Sequence, residues 1–260
     1  VPQVQSVRAA GVAGAVVALS GTTVADINPA GCALDTLHPL LLDGAFAPFV
    51  ADLENSTQIQ GSAEYLFTPI QSTISLGFER YTYGVLFSDQ TLSLSFAKGF
   101  DLLAEHRASV GARARYETLG FGGFYPGISS VIVDAGLQFA ITAALNFGAS
   151  ATNLLGSHFL LPTGDREDLV RAFHAGFAYT PISSSITLLA AIESEHSQKP
   201  TGHFGSEYWI EKTIALRVGA TSDPSTITTG LGIRYEHLYL DAAVLYAPLV
   251  TTLSFGIAWQ

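Results

Sequence analysis

Arg113 and Arg115 stand two residues apart with Arg107 on the same parity, so a strand from Arg107 to Tyr116 would turn three guanidinium groups to one face. Guanidinium groups pair with carboxylates, and Glu64, Glu79 and Asp134 lie on strand-like segments that could oppose them. Arg217, Arg234 and Asp241 carry the same polar face into the last segments of the chain. Such a set is an electrostatic lining rather than a reaction centre. His106, His174, His203 and His237 could supply the base of an acyl-transfer triad, but no nucleophile motif accompanies them. His196 and His203 flank Lys199-Pro200 in what reads as a loop, too loosely spaced for zinc. No residue is catalytic on this reading, and no metal or cofactor is implied. Cys32 is the single cysteine, which excludes a disulfide within the chain and reads as a small buried residue beside a turn.

The elements that must position these side chains are strands. From Thr213 to Trp259 one pattern recurs four times: Ile214, Leu216 and Val218; Leu231, Ile233 and Tyr235; Leu238, Leu240 and Val244; then Leu253, Phe255, Ile257 and Trp259. Each apolar set alternates with Gly, Ala, Ser, Thr or a sparse charge, which is the period of a two-faced strand. An antiparallel sandwich would bury the apolar face and expose the polar one to water, while a membrane barrel does the reverse. The small, weakly charged polar face suits a crowded lumen, and Tyr235, Tyr246 and Trp259 near segment ends suit an interfacial girdle.

Composition favours the barrel. Of 260 residues 13% are charged and the mean hydropathy is +0.34, yet no run of roughly eighteen apolar residues exists to make a spanning helix. High apolarity without such a helix points to spanning strands. A net charge of -10 with scattered Lys and Arg argues against nucleic acid. Methionine is absent even at position 1, so the chain reads as a mature form after removal of a signal peptide, hence exported.

Taken in order, Arg8–Leu19 is small, apolar and glycine-containing; Ser20 or Thr22 could cap a helical turn that Asn28-Pro29 would end. From Leu40 the chain becomes a series of hairpins, with 40–50 interrupted by Pro48. Gly120–Gly127, Pro162–Asp168 and Ser194–Gly202 read as loops. The expectation is an all-β, up-and-down antiparallel transmembrane β-barrel of about fourteen strands, with residues 1–39 as an N-terminal segment and 40–260 as the barrel.

The opening RAAGVAGAVVALSGTTVADINPAGCA resembles that of the PorV/PorQ-type outer-membrane proteins, which sit with the FadL-like long-chain fatty-acid transporter barrels. Asn28, Pro29, Ala30 and Gly31 stand where that family has its Asn-Pro-Ala-Gly turn; Val133–Leu137, Phe147–Gly156 and the stretch from Gly205 through Gly219 resemble its later strands in order. The resemblance implies a fourteen-stranded barrel in the outer membrane of a Gram-negative-type bacterium, with the N-terminal segment as a periplasmic-side plug. It further implies a non-enzymatic scaffold or shuttle subunit of a surface or secretion assembly, with protein partners and outer-membrane lipid around it. The alternative is a FadL-like channel for hydrophobic small molecules, with Asn28-Pro29-Ala30 in a plug and a lateral gap facing lipid, which would show a continuous apolar tunnel reaching the barrel wall and a lumen not packed solid by Arg113, Arg115, Glu79 and Asp134.

Overall fold

The computed structural model describes residues 6–21, 26–34, 39–49, 55–103, 106–181, 185–196, 198–247 and 250–260. Alternation is realised as one closed sheet. The wall strands are β1 (Leu40–Phe49), β2 (Ser56–Phe67), β3 (Ser72–Tyr83), β4 (Phe87–Leu103), β5 (His106–Gly120), β6 (Ile128–Ala140) and β7 (Leu145–Thr152). A small hairpin, β8 (His158–Leu160) and β9 (Arg166–Asp168), interrupts the series outside the wall. The wall resumes with β10 (Ala172–Tyr179), β11 (Ile186–Glu195), β12 (Thr201–Ile210), β13 (Ile214–Ser222), β14 (Ser225–Tyr235), β15 (Leu238–Ala247) and β16 (Val250–Trp259). Each wall strand pairs antiparallel with its neighbour in sequence, β7 with β10 across the hairpin, and β1 with β16 to close fourteen strands into a cylinder.

The apolar side chains look outward. Leu216, Ile233 and Phe255 are each more than a third exposed on the outside, with no second sheet packed on them among the described residues, and the sandwich alternative is overturned. Bulk water does not tolerate a continuous apolar belt of this size, whereas a bilayer requires one. Phe78, Tyr116, Phe173 and Tyr246 ring one end of the belt, and Tyr65, Tyr179, Tyr208, Tyr235 and Trp259 ring the other. Both chain ends of the wall, Leu40 and Trp259, lie at the second ring together with the shorter connections.

Three expectations are adjusted. Pro48 does not end the first segment: the β1–β16 register shifts between Phe46 and Phe49, and this bulge accommodates a residue without an N–H. The polar stretch Pro162–Asp168 is exposed, but its second half is β9 of the hairpin. His203 belongs to β12 and faces the lumen rather than a loop.

Residues 6–21 and 26–34 lie inside the cylinder. The helical turn falls earlier than Ser20: α1 (Val7–Gly11) is capped by Ser6, whose Oγ accepts from the Ala9 N–H at 3.2 Å. Thr22 lies outside the described residues. Five residues cannot hold a helix alone, so packing holds it. Ala9, Val12, Ala15, Val16, Ala18 and Leu19 are buried together against Ala178 and Leu189 of the wall.

Candidate functional site

What lets a nearly unstructured segment sit in the lumen is the inner face of the wall. Its glycines give the backbone room. A Cβ on Gly111 would stand 2.5 Å from the Pro29 carbonyl carbon, one on Gly136 2.1 Å from Asn28 Oδ1, one on Gly148 2.0 Å from the Val17 oxygen, and one on Gly219 2.5 Å from the Val12 carbonyl carbon. Four strands therefore approach the segment closer than any side chain permits.

The inner polar side chains then satisfy the segment's carbonyls one at a time. Ser109 Oγ donates to Ala30 O (2.8 Å), Gln138 Nε2 to Ala18 O (2.8 Å), Thr228 Oγ to Gly11 O (3.1 Å) and His203 Nδ1 to Ala13 O (2.7 Å). A buried loop without such donors would leave its backbone unpaired at a cost of about 1–3 kcal/mol per group.

The Asn28–Gly31 turn is the tightest part of this seat. Asn28 is fully buried; its Nδ2 donates to Val17 O (2.7 Å) and to Leu137 O of β6 (3.1 Å), while its Oδ1 accepts from the Ala30 N–H (3.1 Å). Gly31 N–H donates to Asn28 O (3.0 Å).

The lumenal charges form separate groups. Arg113 and Arg115 both reach Asp134, through Nε–Oδ2 distances of 2.8 Å, and Arg113 also donates to Asp26 O at 2.7 Å. The pairing of these arginines is therefore with Asp134; Glu79 instead accepts from Gln58 (2.7 Å), and Glu64 from the Cys32 thiol (3.4 Å). Arg217 reaches Asp241 (2.5 Å) and Glu207 (2.7 Å), and Glu207 also takes Arg8 of the segment (2.8 Å). Arg107 pairs with Asp101 (3.3 Å) near the terminus end, and Arg234 lies exposed beside Tyr239 there.

Sequence reasoning missed Glu207, although its register opposite Arg217 on the neighbouring strand gives the pair away once the strands are aligned. It also missed Glu193, which lies 3.1 Å from His203 Nε2 and 3.8 Å from His174. No group of three metal-ligating side chains is present among the described residues.

Beyond the segment, toward the longer loops, lies a cavity of about 740 Å³. Its lining mixes Phe87, Leu119, Ile132 and Val170 with Asp43, Glu79, Asp89 and Glu117. Arg113, Arg115 and Glu79 border this space without filling it. On one side the wall is incomplete as a sheet: β6 pairs with β7 only over Ala135–Ala140. The edge above is covered by the insertion 153–171, whose Leu154 N–H donates to Val133 O and whose Ser157 Oγ donates to Val131 O. Leu169 and Val170 of that insertion line the cavity, and Leu154 and Leu155 are exposed on it.

Cys32 reports on the seated state. Burial, reinforced by the adjacent Glu64 carboxylate, pushes its thiol well above the ordinary range. Maleimide is expected to leave Cys32 unlabelled in the folded protein and to label it fully after denaturation; rapid labelling of the native barrel would show the segment is not held there.

No protein-family model matches the sequence, and no curated protein does. Solved structures do. The toluene transporter TbuX of Ralstonia pickettii superposes with a TM-score of 0.62 at 11% identity over 96% of this chain and 97% of that one. The toluene transporter TodX of Pseudomonas putida gives 0.63 at 10% over 97% and 96%. A Pseudomonas aeruginosa FadL homologue gives 0.62 at 11% over 98% and 96%. These are FadL-type barrels, so the PorV/PorQ part of the resemblance rests on the sequence motifs alone. Identity this low carries the likeness as far as architecture: the chain is a closed fourteen-stranded transmembrane β-barrel with the FadL-like fold.

Proposed function

We propose that this protein is a non-enzymatic outer-membrane channel for small hydrophobic molecules, in which residues 1–39 act as a periplasmic-side plug and 40–260 as the barrel. The observation that carries the reading is the combination of a lumenal cavity with a side of the wall closed by an insertion instead of a strand. A solute in the cavity is separated from the lipid by Leu169, Val170 and their neighbours, which can move without breaking a strand ladder. Leu40 and Trp259, the first and last wall residues, lie at the end with the shorter connections, which supports reading the seated segment as a periplasmic-side plug. Fold neighbours described as toluene transporters and as a monoaromatic hydrocarbon channel support an apolar cargo. The carboxylate-rich part of the lining favours small or amphipathic solutes over long, wholly apolar ones.

Cells displaying the barrel are expected to accumulate labelled toluene several-fold faster than cells lacking it, with sucrose uptake unchanged. Accumulation no faster than the control, with folded barrel present in the outer membrane, would overturn this reading.

A second reading, a scaffold or shuttle subunit in a surface assembly, draws on one observation. Val85, Phe124 and Tyr125 are each more than two-thirds exposed on the connections of the β3–β4–β5 side, beyond the aromatic ring. Gentle purification from native membrane would then yield a stoichiometric partner protein, and a lone barrel would remove this reading.

A further inference from the structure

The insertion that covers the side of the wall and the segment that fills the lumen are far apart in sequence, yet one buried carboxylate holds both. Asp134 on β6 is 2% exposed. Its Oδ2 accepts from Arg113 Nε and Arg115 Nε, each at 2.8 Å, and its Oδ1 accepts from Arg115 at 3.0 Å and from the backbone N–H of Asn153 at 2.9 Å. Arg113 is committed on its other side to the segment, donating to Asp26 O at 2.7 Å, two residues before Asn28. Asn153 is committed to the insertion. Its Oδ1 accepts from Ser157 N–H at 2.7 Å and its Nδ2 donates to Leu169 O at 2.9 Å, so one amide ties the outgoing and returning legs together. Asn153 does this from a left-handed backbone conformation, φ 55°, at the point where the chain leaves β7.

We propose that Asp134 is a positioning residue that couples the two closures, so that release of the N-terminal segment loosens the side insertion and release of the insertion loosens the segment. The physical ground is the geometry of a shared acceptor. When Asp26 lets go, Arg113 loses two of the contacts that hold its guanidinium plane, and the Nε bond to Asp134 slackens with them. Asp134 is then free to follow Arg115, and the Asn153 N–H loses its best-placed acceptor. Asp134, Arg113 and Arg115 are each at most 6% exposed, so the bonds among them are stronger than at a surface and the loss of one is felt by the others. Coupling of this sort is reciprocal by thermodynamic necessity, so it can be read from either end.

The inference deepens the channel reading by naming how its two closures communicate, but its test does not involve transport. Asn153→Gly keeps the left-handed backbone and removes only the amide side chain. In this variant maleimide labelling of native Cys32 is expected to accelerate about tenfold, a coupling within the usual range between linked sites, although Asn153 has no hydrogen bond to the described residues of the segment. Thr163→Ala, which removes the Thr163–Asp165 bond at the hairpin tip but leaves the Asp134 chain intact, is expected to leave the rate unchanged. From the other end, Arg113→Gln is expected to speed tryptic cleavage after the exposed Arg166 by a similar factor. Gel mobility before and after heating verifies that each variant forms its barrel. Faster cleavage at Arg166 in Asn153→Gly with Cys32 labelling at the wild-type rate would overturn the coupling. That result would leave the channel reading standing, just as absence of toluene uptake would leave the coupling standing.

Discussion

Valine at position 148 is expected to turn a closed lumen into a conducting one. A Cβ there would lie 2.0 Å from the Val17 carbonyl oxygen and 2.6 Å from its carbon, and valine adds two further methyl groups. Something has to yield. Gly148 is locked on both sides by the ladder, opposite Gln138 and Gly176, whereas the segment in front of it has only isolated bonds to wall side chains. The segment therefore moves. Overpacking costs about 1–3 kcal/mol where the surroundings can adjust, and about 1.4 kcal/mol already changes a population tenfold. Single-channel conductance in a planar bilayer should rise by about that factor or more, and Cys32 should become reactive to maleimide. Wild-type conductance with Cys32 still protected, in a barrel that shows normal heat-shifted mobility, would mean that the glycine face is not what seats the segment.

The largest loss of stability is expected from Glu207→Gln. Glu207 is 2% exposed and accepts from Arg8 Nε and its terminal nitrogen at 3.0 and 2.8 Å, from Arg217 Nε at 2.7 Å and from Trp209 Nε1 at 3.0 Å. Removing one partner of a buried ion pair costs about 3–5 kcal/mol, because the charges left behind remain dry and uncompensated. Arg217 keeps Asp241, so the lower end of that range applies. Among the described residues Arg8 keeps no other ion pair, and α1 should detach first. Guanidinium unfolding in detergent would show this as a lower midpoint, preceded by release of Cys32. An unchanged midpoint would mean that the cluster is incidental.

The wall was legible in the sequence because its strands separate two environments, and that separation is written residue by residue in segments such as Ile214–Val218. The strand ends were not. On β4 and β5 the outward positions turn to Ser88, Gln90 and Thr118 above the lipid belt, the contrast between faces fades, and the ladder runs on to Phe87 and Gly120 unannounced. Asn28–Gly31 was visible as a turn, and Arg113, Arg115 and Asp134 as inward charges. Asp134 was offered as a partner for both arginines, but the Arg113–Asp26 contact was not, since those residues stand 87 positions apart in the chain. The segment itself was the least readable part. It has no period of its own, because its order is imposed by Ser109, Gln138, His203 and Thr228 from four different strands. The inward glycines signalled a crowded lumen without saying what crowds it. The channel and scaffold readings share every one of these features, and the cavity beside a wall closed by the insertion hairpin is what favours the channel.

The seated segment precedes β1 in the chain, and β1 begins with Leu40 at the same end of the cylinder as Trp259. It can therefore withdraw and return on its own tether, with no rung of the β1–β16 seam undone. Two equilibria, one for the cork and one for the cask, then run on different scales in one chain. Mild denaturant should empty the bore long before it melts the staves, and dilution should refill it without any need to rebuild them.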